Sequence, residues 1–266
     1  GDPNAKVFSS TDGITWTEVG SNALLQPFGN STSFVFNNKM WVLKGISLLS
    51  STDGLSWAQE GSLPMLVSSA ASLIHDNKIW IIGGIPGQAD ESKVFYSSDG
   101  SNWVEAGVNS LPKVNGSQVG HYAHRVVEYK NKMWVIGGFY GANNAFSSTD
   151  GITWTEAGMN SLPSILTYPG LVVYGNKMWI VGGNASNGAS KKVFSSEDGI
   201  TWTEEGPDIL PAAVSNQGVL VFKNKIWSIG GGENKVFYFP SDGSDQCVSN
   251  SCTANSDCAS GEVCEN

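Results

Sequence analysis

Residues 177–183 read KMWIVGG, and residues 193–202 read VFSSEDGITW. The first phrase is a short apolar run that ends in two glycines, and the second places an Asp-Gly pair between two short runs of strand-forming residues. Versions of the first phrase contain Trp41, Trp80, Trp134, Trp179 and Trp227, and versions of the second end at Trp16, Trp57, Trp103, Trp154 and Trp202. The two phrases account for all ten tryptophans of the 266-residue chain and therefore mark a repeat.

The aspartate of the second phrase gives the length of the repeat. It recurs at Asp12, Asp53, Asp99, Asp150, Asp198 and Asp242, in steps of 41, 46, 51, 48 and 44 residues. Periods of about 40 to 50 residues are typical of β-propellers and related arrays.

One repeat can be divided into strands and turns. Apolar alternation predicts strands at 171–174, 178–181, 193–196 and 201–203. Asn-Lys and Asp-Gly links between them favour tight turns, and no window has the 3.6-residue apolar period of a helix. We therefore expect an all-β fold, a β-propeller of four-stranded antiparallel blades with almost no helix.

An apolar strand ending in Gly-Gly, then a strand, a turn and a spaced tryptophan, resembles the kelch motif over about residues 5–240. The pairing is complete in four repeats and is degraded to Lys44-Gly45 in the first. The resemblance implies a propeller fold. It implies no single function, because kelch propellers serve as enzymes, lectin-like binders and protein-interaction modules.

The strand count predicts five blades, with six as the alternative. Third strands occur six times, beginning at Val7, Leu48, Val94, Ala145, Val193 and Val236, whereas the other strands occur five times. We expect the N-terminal strands, 7–10 and 15–18, to complete the blade begun by residues 219–229, so that N- and C-terminal strands close the ring. Residues 235–239 are then surplus and either cover an outer edge or pair with a neighbouring molecule.

Residues 241–266 form a separate unit beside the propeller of residues 1–240. This tail holds all four cysteines, Cys247, Cys252, Cys258 and Cys264, and its charged residues are all acidic. An even cysteine count in a short segment predicts two disulfides, with three possible connectivities, and an exported, extracellular or cell-surface protein. A zinc site is the rival interpretation, but the usual paired C-x2-C spacing is missing.

Composition argues against two classes of partner. The net charge is -9 and Arg125 is the only arginine, so a phosphate backbone finds no cationic surface. No run approaches the roughly 18 apolar residues of a membrane span. We therefore expect neither nucleic-acid binding nor membrane insertion.

No catalytic constellation is recognisable. Propellers that resemble sialidases use three arginines to hold a carboxylate, and residues 1–240 contain only one arginine. The copper-radical oxidases that share the kelch fold use a tyrosine crosslinked to a cysteine, and residues 1–240 contain no cysteine. His75 is expected to be an exposed turn residue. His121 and His124 could supply two metal ligands, but a packing or hydrogen-bonding role is favoured because no third ligand is evident. We expect a non-enzyme without cofactor or metal, and we interpret the repeated aspartates as turn residues.

The loops after Gly-Gly and between blades vary in length and content, and they lie on one face of the expected ring. Binding residues concentrate on such loops. The candidate residues are Phe28, Asn30, His121, Tyr122, His124, Arg125, Tyr140, Asn143 and Tyr168. Aromatic and amide side chains suit a glycan and suit a protein partner equally.

The leading functional hypothesis is an exported, non-catalytic binding or adhesion propeller that recognises a glycan or protein through this face. One alternative is a structural subunit of an extracellular assembly or filament, self-associating through residues 235–239 and the cysteine-rich tail. The other is an enzyme with an unrecognised site.

Overall fold

The computed structural model describes residues 6–19, 31–84, 93–108, 110–112, 122–138, 143–157, 161–162, 164, 166–186, 188–206, 209–231 and 236–239. Within these ranges the chain forms strands and turns without a helix, and hence without any helix able to span a membrane. The predicted cysteine-rich tail lies outside the described residues.

The strands are short and follow the repeat. In chain order they are β1 (Phe8–Ser9), β2 (Thr17–Glu18), β3 (Thr32–Phe36), β4 (Lys39–Ser51), β5 (Ala58–Val67), β6 (Ala71–His75), β7 (Lys78–Ile82), β8 (Val94–Ser97), β9 (Val104–Glu105), β10 (Arg125–Tyr129), β11 (Lys132–Ile136), β12 (Ala145–Ser148), β13 (Thr155–Glu156), β14 (Gly170–Tyr174), β15 (Lys177–Val181), β16 (Asn184–Ala185), β17 (Gly188–Ala189), β18 (Val193–Ser196), β19 (Thr203–Glu204), β20 (Gly218–Phe222), β21 (Lys225–Ile229) and β22 (Val236–Phe239).

These strands build five antiparallel blades arranged as a β-propeller, which confirms the predicted fold class. Blade 1 is β3–β5, blade 2 is β6–β9, blade 3 is β10–β13, blade 4 is β14, β15, β18 and β19, and blade 5 is β20–β22. The first strand of each blade is the inner one, and these inner strands lie side by side from β3 through β6, β10 and β14 to β20. The small hairpin β16–β17 projects from the loop after Gly182-Gly183.

In blade 1, the predicted second and third strands form one continuous strand, β4. Strand β4 pairs with β3 through its first half and with β5 through its second half. Lys39 Nζ and Ser50 Oγ both lie 2.8 Å from Glu60 Oε1, although eleven extended residues would span roughly 36 Å. The strand is therefore folded back on itself, and it takes the places of the second and third strands of the other blades.

The last blade differs from the prediction. Residues 236–239 are not surplus: β22 pairs with β21 from Ile226↔Phe239 to Ile229↔Val236 and is the third strand of blade 5. Strands β1 and β2 instead form a separate two-stranded sheet. Both segments carry the third-strand pattern, and β22 follows β21 after six residues, so its pairing closes much the smaller loop.

The core is divided among the seams between neighbouring blades. Four buried apolar clusters occur in the described residues, one each between blades 1 and 2, 2 and 3, 3 and 4, and 4 and 5. At three of these seams a tryptophan of one blade lies against a glycine of the next blade's Asp-Gly turn: Trp41 on Gly100, Trp80 on Gly151 and Trp134 on Gly199. The recurrence of the two phrases thus reflects one repeated interblade contact.

The Asp-Gly turns have a common hydrogen-bond pattern, and Asp53 is representative. Its Oδ1 accepts the backbone N–H groups of Leu55 and Ser56 at 2.8 and 2.9 Å and the Ser51 hydroxyl at 3.0 Å. Trp57 Nε1 then donates to the Gly54 carbonyl at 3.1 Å. One carboxylate oxygen thus holds the turn through three hydrogen bonds, which agrees with the predicted structural role of this aspartate.

Candidate functional site

A cavity of about 480 Å³ lies where the inner strands of the five blades begin. The first residues of all five inner strands line it: Thr32, Ala71, Arg125, Gly170 and Gly218. Because the loops between blades lead into these strands, the cavity lies on the face that the sequence predicts to be variable. Four of the five equivalent positions carry small side chains, and only Arg125 brings a long, charged one.

The rim of the cavity is built on an unusual backbone conformation. Ser69, Ala123, Tyr168 and Asn216 each stand two residues before an inner strand, and each has a positive φ between 51° and 59°. Tyr168 N–H donates to the Ala123 carbonyl at 2.7 Å, and Asn216 N–H donates to the Tyr168 carbonyl at 2.9 Å. Left-handed conformations of non-glycine residues are uncommon and cluster at functional sites. Here they place Ser69, Tyr168 and Asn216 on the cavity wall.

Arg125 supplies the positive charge of the cavity. Its Nη1 donates to the His124 carbonyl at 3.0 Å, and its Nη2 donates to Asn216 Oδ1 at 3.2 Å. Burial lowers the pKa of Arg125 by desolvation, and interaction with Tyr168 opposes that effect. An arginine guanidinium is protonated near neutral pH in proteins in any case. Among the described residues no carboxylate lies within 4.0 Å of it, and no other charged side chain lines the cavity.

The rest of the cavity wall is polar but uncharged. Hydroxyl groups come from Ser31, Thr32, Ser33, Ser69 and Ser72. Thr32 Oγ1 and Ser72 Oγ are hydrogen-bonded to each other at 2.6 Å across the seam of blades 1 and 2. A hydroxyl group can both donate and accept a hydrogen bond, so this wall can bind ligand hydroxyl groups as donors or as acceptors.

The predicted binding residues have different positions in the structure. Arg125 and Tyr168 line the cavity. Tyr122 and Asn143 do not line it; the Asn143 carbonyl accepts a hydrogen bond from Leu162 N–H at 2.8 Å. The remaining candidates Phe28, Asn30, His121 and Tyr140 lie outside the described residues, as do all four cysteines.

The described histidines are buried hydrogen-bonding groups. His124 is fully buried, and its Nε2 lies 3.1 Å from the Ile82 carbonyl at the end of β7, so this nitrogen carries the proton. His75 is predicted to be exposed, and that prediction is wrong: it is the last residue of β6, it is buried, and its Nε2 faces the Thr149 carbonyl at 3.3 Å. Across the described ranges no three potential metal ligands come together.

Two cavity residues, Asn216 and Gln217, are absent from the predicted set. Asn216 positions Arg125, and the buried Gln217 donates from Nε2 to the Val181 carbonyl at 2.6 Å. Gln217 and His124 occupy the same place in two repeats, immediately before the inner strand, and both reach the last residue of the preceding blade's second strand. Aligning the repeats on their inner strands would have found both positions.

Comparison with known proteins identifies the fold. No protein-family model and no curated protein sequence matches the chain. Among solved structures it is similar to one titled "Structure of YjhT", with a TM-score of 0.63, 16% identity and 80% of each chain covered. The fold is a β-propeller. At this identity the similarity extends to the fold alone.

Proposed function

We propose that the protein is a binding propeller that holds a small, hydroxyl-rich ligand bearing a carboxylate, such as an acidic sugar, in its central cavity. The observation that carries this proposal is the guanidinium of Arg125. It is the one charged group on the described cavity wall, it is partly desolvated, and no carboxylate of the described residues neutralises it.

The chemistry of the wall favours this ligand class over a protein surface. A volume of about 480 Å³ falls in the range of small-molecule sites. Arginine binds a carboxylate through two parallel hydrogen bonds, and the surrounding serines and Thr32 can pair with sugar hydroxyls. Tyr168 offers a ring beside the guanidinium for the apolar face of a sugar.

The negative net charge of the chain makes Arg125 necessary for binding an anion. A protein of charge -9 repels anions at long range. Binding of a carboxylate therefore depends on the local cation, and long-range attraction contributes nothing to it. The kelch resemblance, export to an oxidising compartment and a non-catalytic role complete the proposal; they rest on the repeat phrases, on the four tail cysteines and on the lack of a recognisable catalytic motif.

The test is a pair of ligands that differ by one charged group. Glucuronate and glucose are titrated calorimetrically into the wild-type protein and into Arg125→Gln. We expect glucuronate to bind the wild type at least tenfold more tightly than glucose, and Arg125→Gln to remove that preference. Lys132→Gln, which removes an exposed cation outside the cavity, is the matched control and should leave it intact. Equal binding of the two sugars to the wild type, or an unchanged preference in Arg125→Gln, would contradict the proposal.

A further inference from the structure

Among the described residues, Asn216 is the one whose side chain is hydrogen-bonded to the guanidinium of Arg125. Asn216 Oδ1 accepts from Arg125 Nη2 at 3.2 Å. An arginine side chain carries donors and no acceptor, so the amide atom that faces it has to be the oxygen. This fixes the orientation of the Asn216 amide: its oxygen faces the guanidinium, and its NH2 group lies on the other side of the amide carbon.

The two side chains leave several N–H groups available to a ligand. Asn216 is exposed on the cavity wall, and in the described part of the chain its Nδ2 has no hydrogen-bond partner. Arg125 has five N–H donors, of which the described residues engage two, with the His124 carbonyl and with Asn216 Oδ1. A ligand group that satisfies the remaining donors of both side chains has to be rich in acceptors, as a carboxylate is.

The neutrality of Asn216 matters as much as its position. A carboxylate at residue 216 would hold the guanidinium through an equivalent oxygen, and that hydrogen bond would be the stronger, charge-assisted kind. It would also neutralise the one charge on the described cavity wall. The amide of Asn216 supplies the oxygen without the charge. Arg125 is therefore held in position and still carries a net positive charge toward an anion.

We infer that Asn216 is the specificity-determining residue of the cavity, because it holds Arg125 through a neutral acceptor and binds the same ligand carboxylate through its own N–H groups. This inference rests on the proposed function, since it explains how the acidic ligand is selected. It also places the carboxylate of that ligand where Arg125 of blade 3 meets Asn216, two residues before the first strand of blade 5.

The backbone at residue 216 permits two informative substitutions. Asn216 has a φ of +58°, in the left-handed region that asparagine, aspartate and glycine adopt more readily than other residues. Asn216→Asp keeps the shape of the side chain, adds a negative charge and removes the two N–H donors. Asn216→Gly removes the side chain and leaves the guanidinium charged. Comparing the two separates the effect of charge from the effect of positioning.

Calorimetric titration of glucuronate and of glucose into each variant measures the selectivity. We expect Asn216→Gly to bind glucuronate at least threefold more weakly than the wild type and to keep part of the preference for glucuronate over glucose. Asn216→Asp should lose that preference completely, because its carboxylate neutralises Arg125 and repels the ligand carboxylate. Glucose carries no charge, so its affinity should change less than the affinity for glucuronate in Asn216→Asp.

Asn224→Asp is the matched control. Asn224 has a φ of +59° and is exposed in the turn between β20 and β21, outside the cavity. The substitution adds the same charge to the same type of residue in the same backbone conformation. It should leave the preference for glucuronate intact, which would show that a more negative net charge alone does not explain the effect of Asn216→Asp.

A second measurement reports on the guanidinium itself. Arg125 is the only arginine of the chain, so its Nε–H group gives the only arginine side-chain signal in a nitrogen–proton correlation NMR spectrum. We expect glucuronate to shift this signal in the wild type and in Asn216→Gly, and to leave it unchanged in Asn216→Asp. Glucose should shift it less than glucuronate in the wild type. Thermal melting checks that each variant is folded.

The outcomes distinguish failure of the inference from failure of the proposed function. Equal binding of the two sugars to the wild type contradicts the proposed function, and the inference fails with it. A wild-type preference that persists in Asn216→Asp overturns the inference alone. So does a loss of preference in Asn216→Gly as complete as that in Asn216→Asp, because charge would then not be the cause. If Asn216→Asp does not fold, an unchanged affinity of Asn216→Gly for glucuronate overturns the inference.

Discussion

The indole ring of Trp80 lies directly against Gly151 of the next blade, so that a Cβ built on this glycine would overlap the ring. Gly151 also has a φ of +72°, which disfavours other residues. The position is therefore restricted to glycine for two physical reasons, one steric and one conformational. The steric contact between Trp80 and Gly151 also holds blades 2 and 3 together.

The substitution Gly151→Ala separates the two reasons when it is compared with Gly175→Ala. Gly175 has a φ of +55° and nothing within 4 Å of its built Cβ, so alanine there meets backbone strain alone. We expect Gly151→Ala to lower the free energy of unfolding by about 1–3 kcal/mol more than Gly175→Ala, the usual cost of overpacking. Urea denaturation measures the loss of stability in both variants. Equal losses would show that the Trp80 ring can shift away from the new methyl group at no cost.

His124 should tolerate glutamine better than leucine. Gln217 already makes the same interblade bond in another repeat, so His124→Gln can keep a donor for the Ile82 carbonyl. His124→Leu leaves that buried carbonyl without this donor, which costs about 1–3 kcal/mol. We expect the leucine variant to be less stable than the glutamine variant in urea denaturation, whereas the reverse order would show that packing dominates at this site.

Acid should weaken the Asp-Gly turns. Hydrogen bonds from the backbone N–H groups of Ser56 and Leu55 and from the Ser51 hydroxyl hold the pKa of Asp53 below its usual range. A carboxyl group whose folded-state pKa is lowered stabilises the protein above its unfolded-state pKa of about 3.9, and this contribution is lost as the pH falls through the folded-state value. We therefore expect the free energy of unfolding to fall between pH 4 and pH 2.

Asp53→Asn tests this origin of the acid sensitivity. The variant should be less stable than the wild type at pH 7 and should lose less stability on acidification. Asp76→Asn removes a charge from an exposed carboxylate of another turn and serves as the control. Urea unfolding at pH 7 and pH 3 measures both variants, and an identical pH dependence in Asp53→Asn and the wild type would assign the acid effect to other groups.

The repeat could be predicted because its determinants are local. An apolar run that ends in Gly-Gly and an Asp-Gly turn fix two strands and the reversal between them, and each of the ten tryptophans lies within one of these two phrases. The assignment of the last third strand failed for a related reason. Residues 7–10 and 236–239 carry the same local signal, and the short loop between β21 and β22, which local patterns do not weigh, decides in favour of residues 236–239.

The central cavity could be predicted only in part. Arg125 and Tyr168 could be named from the sequence because the only arginine of the chain and an aromatic residue lie in the variable loops. The hydrogen bond between Arg125 and Asn216 joins residues 91 positions apart, and it exists because the ring brings the starts of β10 and β20 to one axis. Sequence spacing carries no information about such a contact.

The hairpin β1–β2 should be held in place by the contact between Gly13 and Trp227, and Gly13→Ala should release it. Gly13 has a φ of +83°, and an alanine Cβ would lie 2.7 Å from the indole. This hairpin forms a two-stranded sheet of its own, and such a sheet can open locally without unfolding the ring. We therefore expect Gly13→Ala to speed amide hydrogen exchange at Val19, whose N–H donates to the Val7 carbonyl. The melting temperature should change little.

Gly188→Ala is the matched control, since Gly188 lies in the hairpin β16–β17, has a positive φ and has open space around its built Cβ. It should leave exchange at Val19 unchanged. A loss of global stability in Gly13→Ala as large as that in Gly151→Ala would mean that β1–β2 is an integral part of the ring. Unchanged exchange would mean that contacts other than the one with Trp227 hold the hairpin.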